Sequence, residues 1–452
     1  MIKSKEKIYK HFTVLSLLFG IVFSVLIPLY QVPDEEVHIN AIYGFLGENI
    51  KFSEKTNGFG DTERIIRNYE EKVDIEKYID LDNKINILDK IDSIDIHIIR
   101  YLPQSIGILI SELFEIPIIF SVTLSEVLAV IFYTLVGLLS LKLMPIKKEV
   151  LMLIMLLPIC IQQTGSFSYD MMLNSLSFLL ISYIFNLKLV KQKVDNIDLI
   201  KLLLLILAIM LIKLPYILLG LLIFIIPLNK IEIVNDLKKI INSKRKKIII
   251  LFLGILLLLL GIFFISNISY VKVLIAFIIN PISSLKLLFR TLVQHFGFYV
   301  ISIMGYFGWH DTPVSVFFGI FIILNMLIIN LFSNEKYKEV KLNKKENIYI
   351  FILGIISCLI TIISLFEWTL NYNGMNTSNF LVSDFSYYIK NTYDILGVQG
   401  RYFIPLLPLI IIPINLKIEK EHKKGILKFT QILYYSILFI YMFVIIINRY
   451  WF

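Results

Sequence analysis

The chain has 452 residues, 57% of them hydrophobic and only 17% charged, where an ordinary soluble domain carries about a quarter charged residues. Its net charge of +9 flanks apolar runs, as the positive-inside rule expects, which argues against nucleic acid as a partner and for a lipid bilayer. The two cysteines, Cys160 and Cys358, sit in separate apolar runs, so neither a disulfide framework nor a paired-cysteine metal site is available.

The apolar runs are about 15–25 residues long and match a hydrocarbon core at ~1.5 Å rise per residue. In lipid each backbone group must be satisfied within its own segment, so the runs predict helices and the fold class is an all-α polytopic membrane protein. Lys3, Lys5, Lys7 and Lys10 keep the N-terminus cytoplasmic, and the first span covers His11 to Tyr30. Pro33-Asp34-Glu35-Glu36 follows it in place of a small-residue cleavage site, so the span is expected to stay as a signal anchor.

Residues 31–100 hold 16 acidic and 9 basic side chains, a net of −7, and belong to a first extracytoplasmic loop spanning 31–116. Its last part, Tyr101 to Glu115, reads as an amphipathic interfacial helix. Further spans are predicted at Pro117–Leu143, Val150–Gln163 and Asp170–Leu189. Leu199 to Leu228 is interrupted by Lys213-Leu214-Pro215, which predicts two short spans meeting there. After a basic cytoplasmic stretch, a span at Ile248–Ile268 leads to a second outer region, 269–313, with interfacial helices. The pattern continues with Val314–Phe332, Ile348–Phe366, a third outer loop at 367–401, Tyr402–Leu416 and Leu427–Asn448. The total is about 11 transmembrane helices in one domain over 1–452, the count that keeps every lysine-rich loop inside and puts the C-terminus outside. Trp309, Trp368 and Trp451 then fall at outer ends, as an aromatic belt requires.

The polar residues that interrupt this pattern converge at one depth. They are Pro33 to His38, Gln162 to Asp170, Gly308 to Pro313 and Gly397 to Pro405, with Lys213 at the same level. Charged groups are costly in hydrocarbon, so they predict a water- or substrate-filled cavity. Each has a plain structural reading beside the chemical one. Asp34 and Glu35 could cap the following helix, or Asp34, with His38 four residues on, could act as a general base on an acceptor hydroxyl. Asp170 could cap the next span. Arg401 and Lys213 could snorkel to the interface or bind phosphate, and His310-Asp311 could form a turn. No ligand spacing supports a divalent cation or other cofactor. Asn376-Thr377-Ser378 fits a glycosylation sequon.

Pro33-Asp34-Glu35 with His38, Tyr101-Leu102-Pro103-Gln104, Ser166-x-Ser168-Tyr169-Asp170, Lys213-x-Pro215-Tyr216, Gly308-Trp309-x-Asp311-Thr312 and Gly397-Val398-Gln399-Gly400-Arg401-Tyr402-Phe403 occur in that order. On these strings the chain resembles, over nearly its whole length, the polytopic membrane proteins called domain of unknown function 2142. That family in turn looks like the GT-C glycosyltransferases, including protein mannosyltransferases, which carry an acidic pair similar to Asp34-Glu35 in their first outer loop. The resemblance implies a polyprenyl-phosphate-linked sugar donor and a glycan or other acceptor at the outer face of the cell membrane. It implies Asp34 as base, supported by Glu35 and His38. It also implies a substrate-binding set of Arg401, Gln399, Lys213, Tyr169, Asp170, Trp309, Asp311 and Tyr402. A flippase of a lipid-linked glycan and a non-catalytic envelope-assembly protein are the alternatives. The sequence departs from the family in the second span, where Glu126-Val127-Leu128-Ala129 stands in place of an Arg-Leu-x-Asn-like string.

Overall fold

The computed structural model describes residues 2–29, 31–46, 72, 95–232, 269–332, 342–414 and 423–452. Most of the first loop, the predicted span Ile248–Ile268 and the basic stretches before it and after residue 332 lie outside the described residues. The described residues are helical almost throughout, with one two-stranded ribbon.

Helix α1 (Ile2–Leu26) leads through a tight turn into α2 (Glu35–Leu46). A short 3-10 turn (Ile96–Tyr101) runs into α3 (Leu102–Leu113), and α4 (Ile118–Leu143) follows after a few residues. Ser16 meets Thr134 at 2.9 Å, and Gly20 faces Val130, so α1 and α4 pack antiparallel through small residues. The stretch predicted as an amphipathic interfacial helix is α3, and it folds back on α4 with Gly107 against Ser125.

Next come α5 (Lys148–Met155), α6 (Pro158–Thr164) and α7 (Asp170–Leu189). The predicted span Val150–Gln163 is therefore two short helices. Pro158 brings no N–H to the ladder, and the Tyr133 hydroxyl donates to Met155 O at 2.8 Å beside the break. Every residue of this stretch is buried, as its unbroken apolar sequence demands. It forms the centre of the molecule, with α1, α4, α7 and later elements around it.

Helix α8 (Asn196–Ile212) ends at Lys213, which is extended (φ −154, ψ 107), and a 3-10 segment (Leu214–Ile225) follows. This is the expected break at Lys213-Leu214-Pro215, where proline cannot continue the α-helical ladder. Helix α9 (Ser269–Ile279) and α10 (Pro281–Met304) come next. Interfacial helices are predicted here, and the chain instead builds a continuous 24-residue helix in α10, long and apolar enough to cross a membrane. Its apolar side chains are spread at helical spacing over one face, where Ile282, Leu285, Phe289, Val293 and Phe296 are all exposed, so no single apolar run announces it.

A ribbon of β1 (Tyr306–Phe307) and β2 (Thr312–Pro313) connects to α11 (Val316–Phe332). Then follow α12 (Lys344–Ile363), α13 (Phe366–Tyr372) and α14 (Val382–Asn391). The predicted span Tyr402–Leu416 is no regular α-helix. It is a 3-10 segment (Gly400–Leu406) and a short α15 (Leu407–Ile411), buried among other elements because Pro405 and Pro408 interrupt the ladder. Lys147 Nζ and Asn330 Nδ2 take up the carbonyls left at its end, among them Ile414 O at 2.8 and 3.0 Å. Helix α16 (Lys423–Tyr450) closes the chain. Six helices among the described residues are long and apolar enough to cross a membrane: Lys7–Leu26, α4, α7, α10, α12 run on into α13, and Leu433–Tyr450.

Candidate functional site

The site forms where segments that interrupt the helices meet. Pro28 to Pro33 turns the chain after α1, and Asp34 adopts a left-handed backbone (φ 70). A non-glycine residue there is strained, and such strain concentrates at functional positions. A helix-capping aspartate holds an extended backbone and bonds an N–H of the next turn. Asp34 does neither: its carboxylate accepts from Arg401 Nη2 at 2.7 Å.

Arg401 is delivered by a stretch that only glycine permits. Gly397 has φ 75, and a Cβ there would lie 2.5 Å from the Trp368 ring. Gly400 donates its N–H to Ser302 Oγ at 2.9 Å, and a Cβ would collide with the α10 backbone at 2.3 Å. The close approach swings Arg401 inward until its side chain is 5% exposed. Besides Asp34, the guanidinium reaches Gln163 Oε1 at 3.2 Å and faces Asp170 Oδ2 at 3.4 Å. Segments distant in sequence are thus joined on one planar donor fork.

Lys213 stands beside this cluster. The break between α8 and the 3-10 segment leaves its ammonium 3.6 Å from the centre of the Tyr402 ring and 5.5 Å from that of Tyr169. It pairs with no carboxylate among the described residues. Two aromatic faces hold a cation that remains available to an anion. His38 packs edge-on to Tyr169 and meets the Tyr101 hydroxyl at 2.7 Å. Burial, with the charge of Arg401 behind it, pulls the His38 imidazole down to about 4, so the ring is neutral at pH 7. Burial also pushes the Tyr101 hydroxyl above its ordinary range. His38 and Asp34 share no side-chain hydrogen bond; the i,i+4 link between them is His38 N–H to Asp34 O at 3.0 Å.

Glu35 turns the other way. Its Oε1 accepts from Phe167 N at 3.1 Å, and its carboxyl also bonds that of Glu126 from α4. Both residues are buried, and their carboxyls face each other away from water. The departure from the family string in the second span therefore lands on the acidic pair of the first loop. A charged residue in the middle of an apolar span was the signal for it.

Two of the residues implied as substrate-binding make other contacts. Asp311 accepts from Arg449 Nε at 2.9 Å and from Nη2 at 2.6 Å, which locks the ribbon turn to the end of α16. Trp309 packs on the small core of Ile39, Tyr43 and Phe167. Gln399 instead lines two adjoining hollows. One, with room for about one water molecule, is bounded by Gln162, Gln163, Ser302, Tyr306, His310 and Arg401. The Gln162 amide is fully buried, with neither its oxygen nor its nitrogen partnered. Buried polar atoms in that state call for a polar ligand or ordered water. Among the described residues no three ligating side chains converge on a metal position.

Residues 17–410 match the family described as predicted membrane protein (DUF2142). The chain belongs to the DUF2142 family. It is a multi-pass membrane protein, and in this DUF2142 member the matched segment contains Asp34, Gln163, Asp170, Lys213 and Arg401 alike, leaving the Arg449 end of α16 outside. No curated protein and no solved structure matches the chain.

Proposed function

We propose that this DUF2142 protein is a membrane glycosyltransferase of GT-C type, taking a sugar from a polyprenyl-phosphate-linked donor and placing it on a cell-envelope glycan or other hydroxyl acceptor at the outer face. The observation that carries the proposal is the pairing of a half-exposed acid with two cations at one point. The Asp34 carboxylate is 49% exposed and tethered to the buried Arg401, beside the unpaired Lys213.

In this reading the donor's phosphate rests against Lys213 and the Arg401 fork, in place of some of the fork's present contacts. The acceptor oxygen attacks the anomeric carbon as the bond from that carbon to the phosphate oxygen breaks. The electron pair of that bond leaves with the polyprenyl phosphate, whose charge the two cations meet. The hydroxyl proton goes to the Asp34 carboxylate. Tyr169 and Tyr402 hold Lys213 in place, Asp170 and Gln163 orient Arg401, and Gln399 faces the sugar. His38 and Glu35 support the turn that carries Asp34, from buried positions.

The test is a reconstituted assay with radiolabelled polyprenyl-phosphate sugars. Release of free polyprenyl phosphate by the wild-type protein, and its loss in Lys213→Ala, is the expected result. Movement of the intact lipid-linked glycan across vesicle bilayers without cleavage would overturn the proposal in favour of a flippase.

A further inference from the structure

A second cleft adjoins the Arg401 hollow and shares His310 and Gln399 with it. It measures about 330 Å³ and lies between α10 and the segment leading to Gln399. Phe298 and Tyr299 form an aromatic wall. Opposite and around them stand the hydrogen-bonding groups. His295 Nε2 lies 2.7 Å from Asp394 Oδ2, so the imidazole is oriented from behind by a carboxylate. The Gln399 amide has no side-chain partner among the described residues.

Two buried polar atoms of the cleft residues are also unpartnered: the Tyr299 hydroxyl and His310 Nδ1. His310 holds a left-handed backbone (φ 61) at the junction of the two hollows. Strain at a non-glycine residue whose ring nitrogen is left without a partner is uneconomical for a structural turn.

We propose that this cleft is a saccharide-binding subsite, the acceptor side of the site described above; the word acceptor rests on the transferase reading, whereas saccharide binding does not. A sugar presents an apolar C–H face and a rim of hydroxyls that each need a partner. The cleft offers one aromatic wall for the face and amide, imidazole and phenol groups for the rim. His310, at the shared boundary, bonds the acceptor hydroxyl that points toward Arg401 and Asp34. A lipid tail would leave the Tyr299, His310 and Gln399 polar atoms without partners.

The experiment uses the full chain in nanodiscs and two probes. Saturation-transfer NMR with trisaccharides of glucose, mannose, N-acetylglucosamine and rhamnose reads the cleft, and titration with farnesyl phosphate reads the Lys213–Arg401 hollow. At least one trisaccharide is expected to bind. Phe298→Ala, Gln399→Ala and His310→Gln should each weaken it by ~5-fold or more, the loss of one stacked ring or one hydrogen bond. Retained farnesyl phosphate binding by Phe298→Ala shows that this variant is folded. Absence of trisaccharide binding in the wild type, or binding that none of the three variants changes, overturns the subsite. Saccharide binding sensitive to the variants, together with no farnesyl phosphate binding, upholds the subsite and sinks the transferase reading instead.

Discussion

Two buried arginines among the described residues each meet an aspartate, and the two pairings are opposite in design. Arg449 is fully buried and grips both oxygens of Asp311, whose side chain is 17% exposed; the pair ties the ribbon to the last helix. Arg401 takes one oxygen of Asp34, spends the rest of its fork on Gln163 and Asp170, and leaves Asp34 half open on a strained backbone. A closed bidentate pair holds both carboxylate oxygens of Asp311 on Arg449. An open pair, beside an unpartnered amide and an unpaired ammonium, has groups to offer a ligand. The sequence strings that carry Asp34 and Asp311 look equally suggestive, and their partners separate them.

The sharpest way to break that comparison is to neutralise each aspartate. Asp34→Asn keeps size and is expected at normal membrane levels with sugar transfer reduced by at least ~100-fold, the low end for a general base. Asp311→Asn leaves Arg449 buried without its countercharge and should cost about 3 kcal/mol, the low end for breaking a buried pair, read as lower abundance and a lower melting temperature. Near-wild-type transfer by Asp34→Asn would reduce the open pair to a second structural clamp.

Acid should act on the open region through His38. Its folded pKa of about 4 lies below the unfolded value of 6.5, so the folded state binds fewer protons between those values. Stability is therefore complete above about pH 6.5 and is lost as pH falls toward 4, by at most about 3 kcal/mol. In His38→Gln that slope should vanish from denaturation curves taken across the window. An unchanged slope would assign acid sensitivity to other groups.

A smaller effect is expected from Arg401→Lys. The charge stays but the fork that joins Asp34, Gln163 and Asp170 is gone, so transfer should fall about 10-fold while abundance holds. Full activity would mean that a point charge suffices. The smallest change should come from Glu126→Gln. Its amide can donate to the Glu35 carboxyl, so stability should move by less than ~1 kcal/mol. Glu126→Ala, which leaves Glu35 without that donor, should cost more. A large loss in Glu126→Gln, measured by thermal unfolding in detergent, would show that the carboxyl pair has a role beyond packing.

Apolar length, flanking lysines and the need to satisfy the backbone in lipid identify α4, α7, α11, α12 and α16 within a few residues, and α1 by its C-terminal end, the helix itself beginning nine residues earlier than the predicted span. Lys213-Leu214-Pro215 marked its own break because proline acts locally. Composition could not anticipate that Val150–Gln163 and Tyr402–Leu416, broken at their prolines, are buried central segments, since an apolar run reads the same whether lipid or protein surrounds it. Nor could it anticipate α10, whose apolar face is spread at helical spacing. The site was half legible: Asp34, Asp170, Lys213 and Arg401 stood out as costly charges at one depth. Which charge meets which was decided only by the tertiary structure. Partner choice depends on the approach of segments hundreds of residues apart, and the small side at Gly400 that lets Arg401 reach Asp34 acts through space, with nothing in the local pattern to say which chain lies across from it.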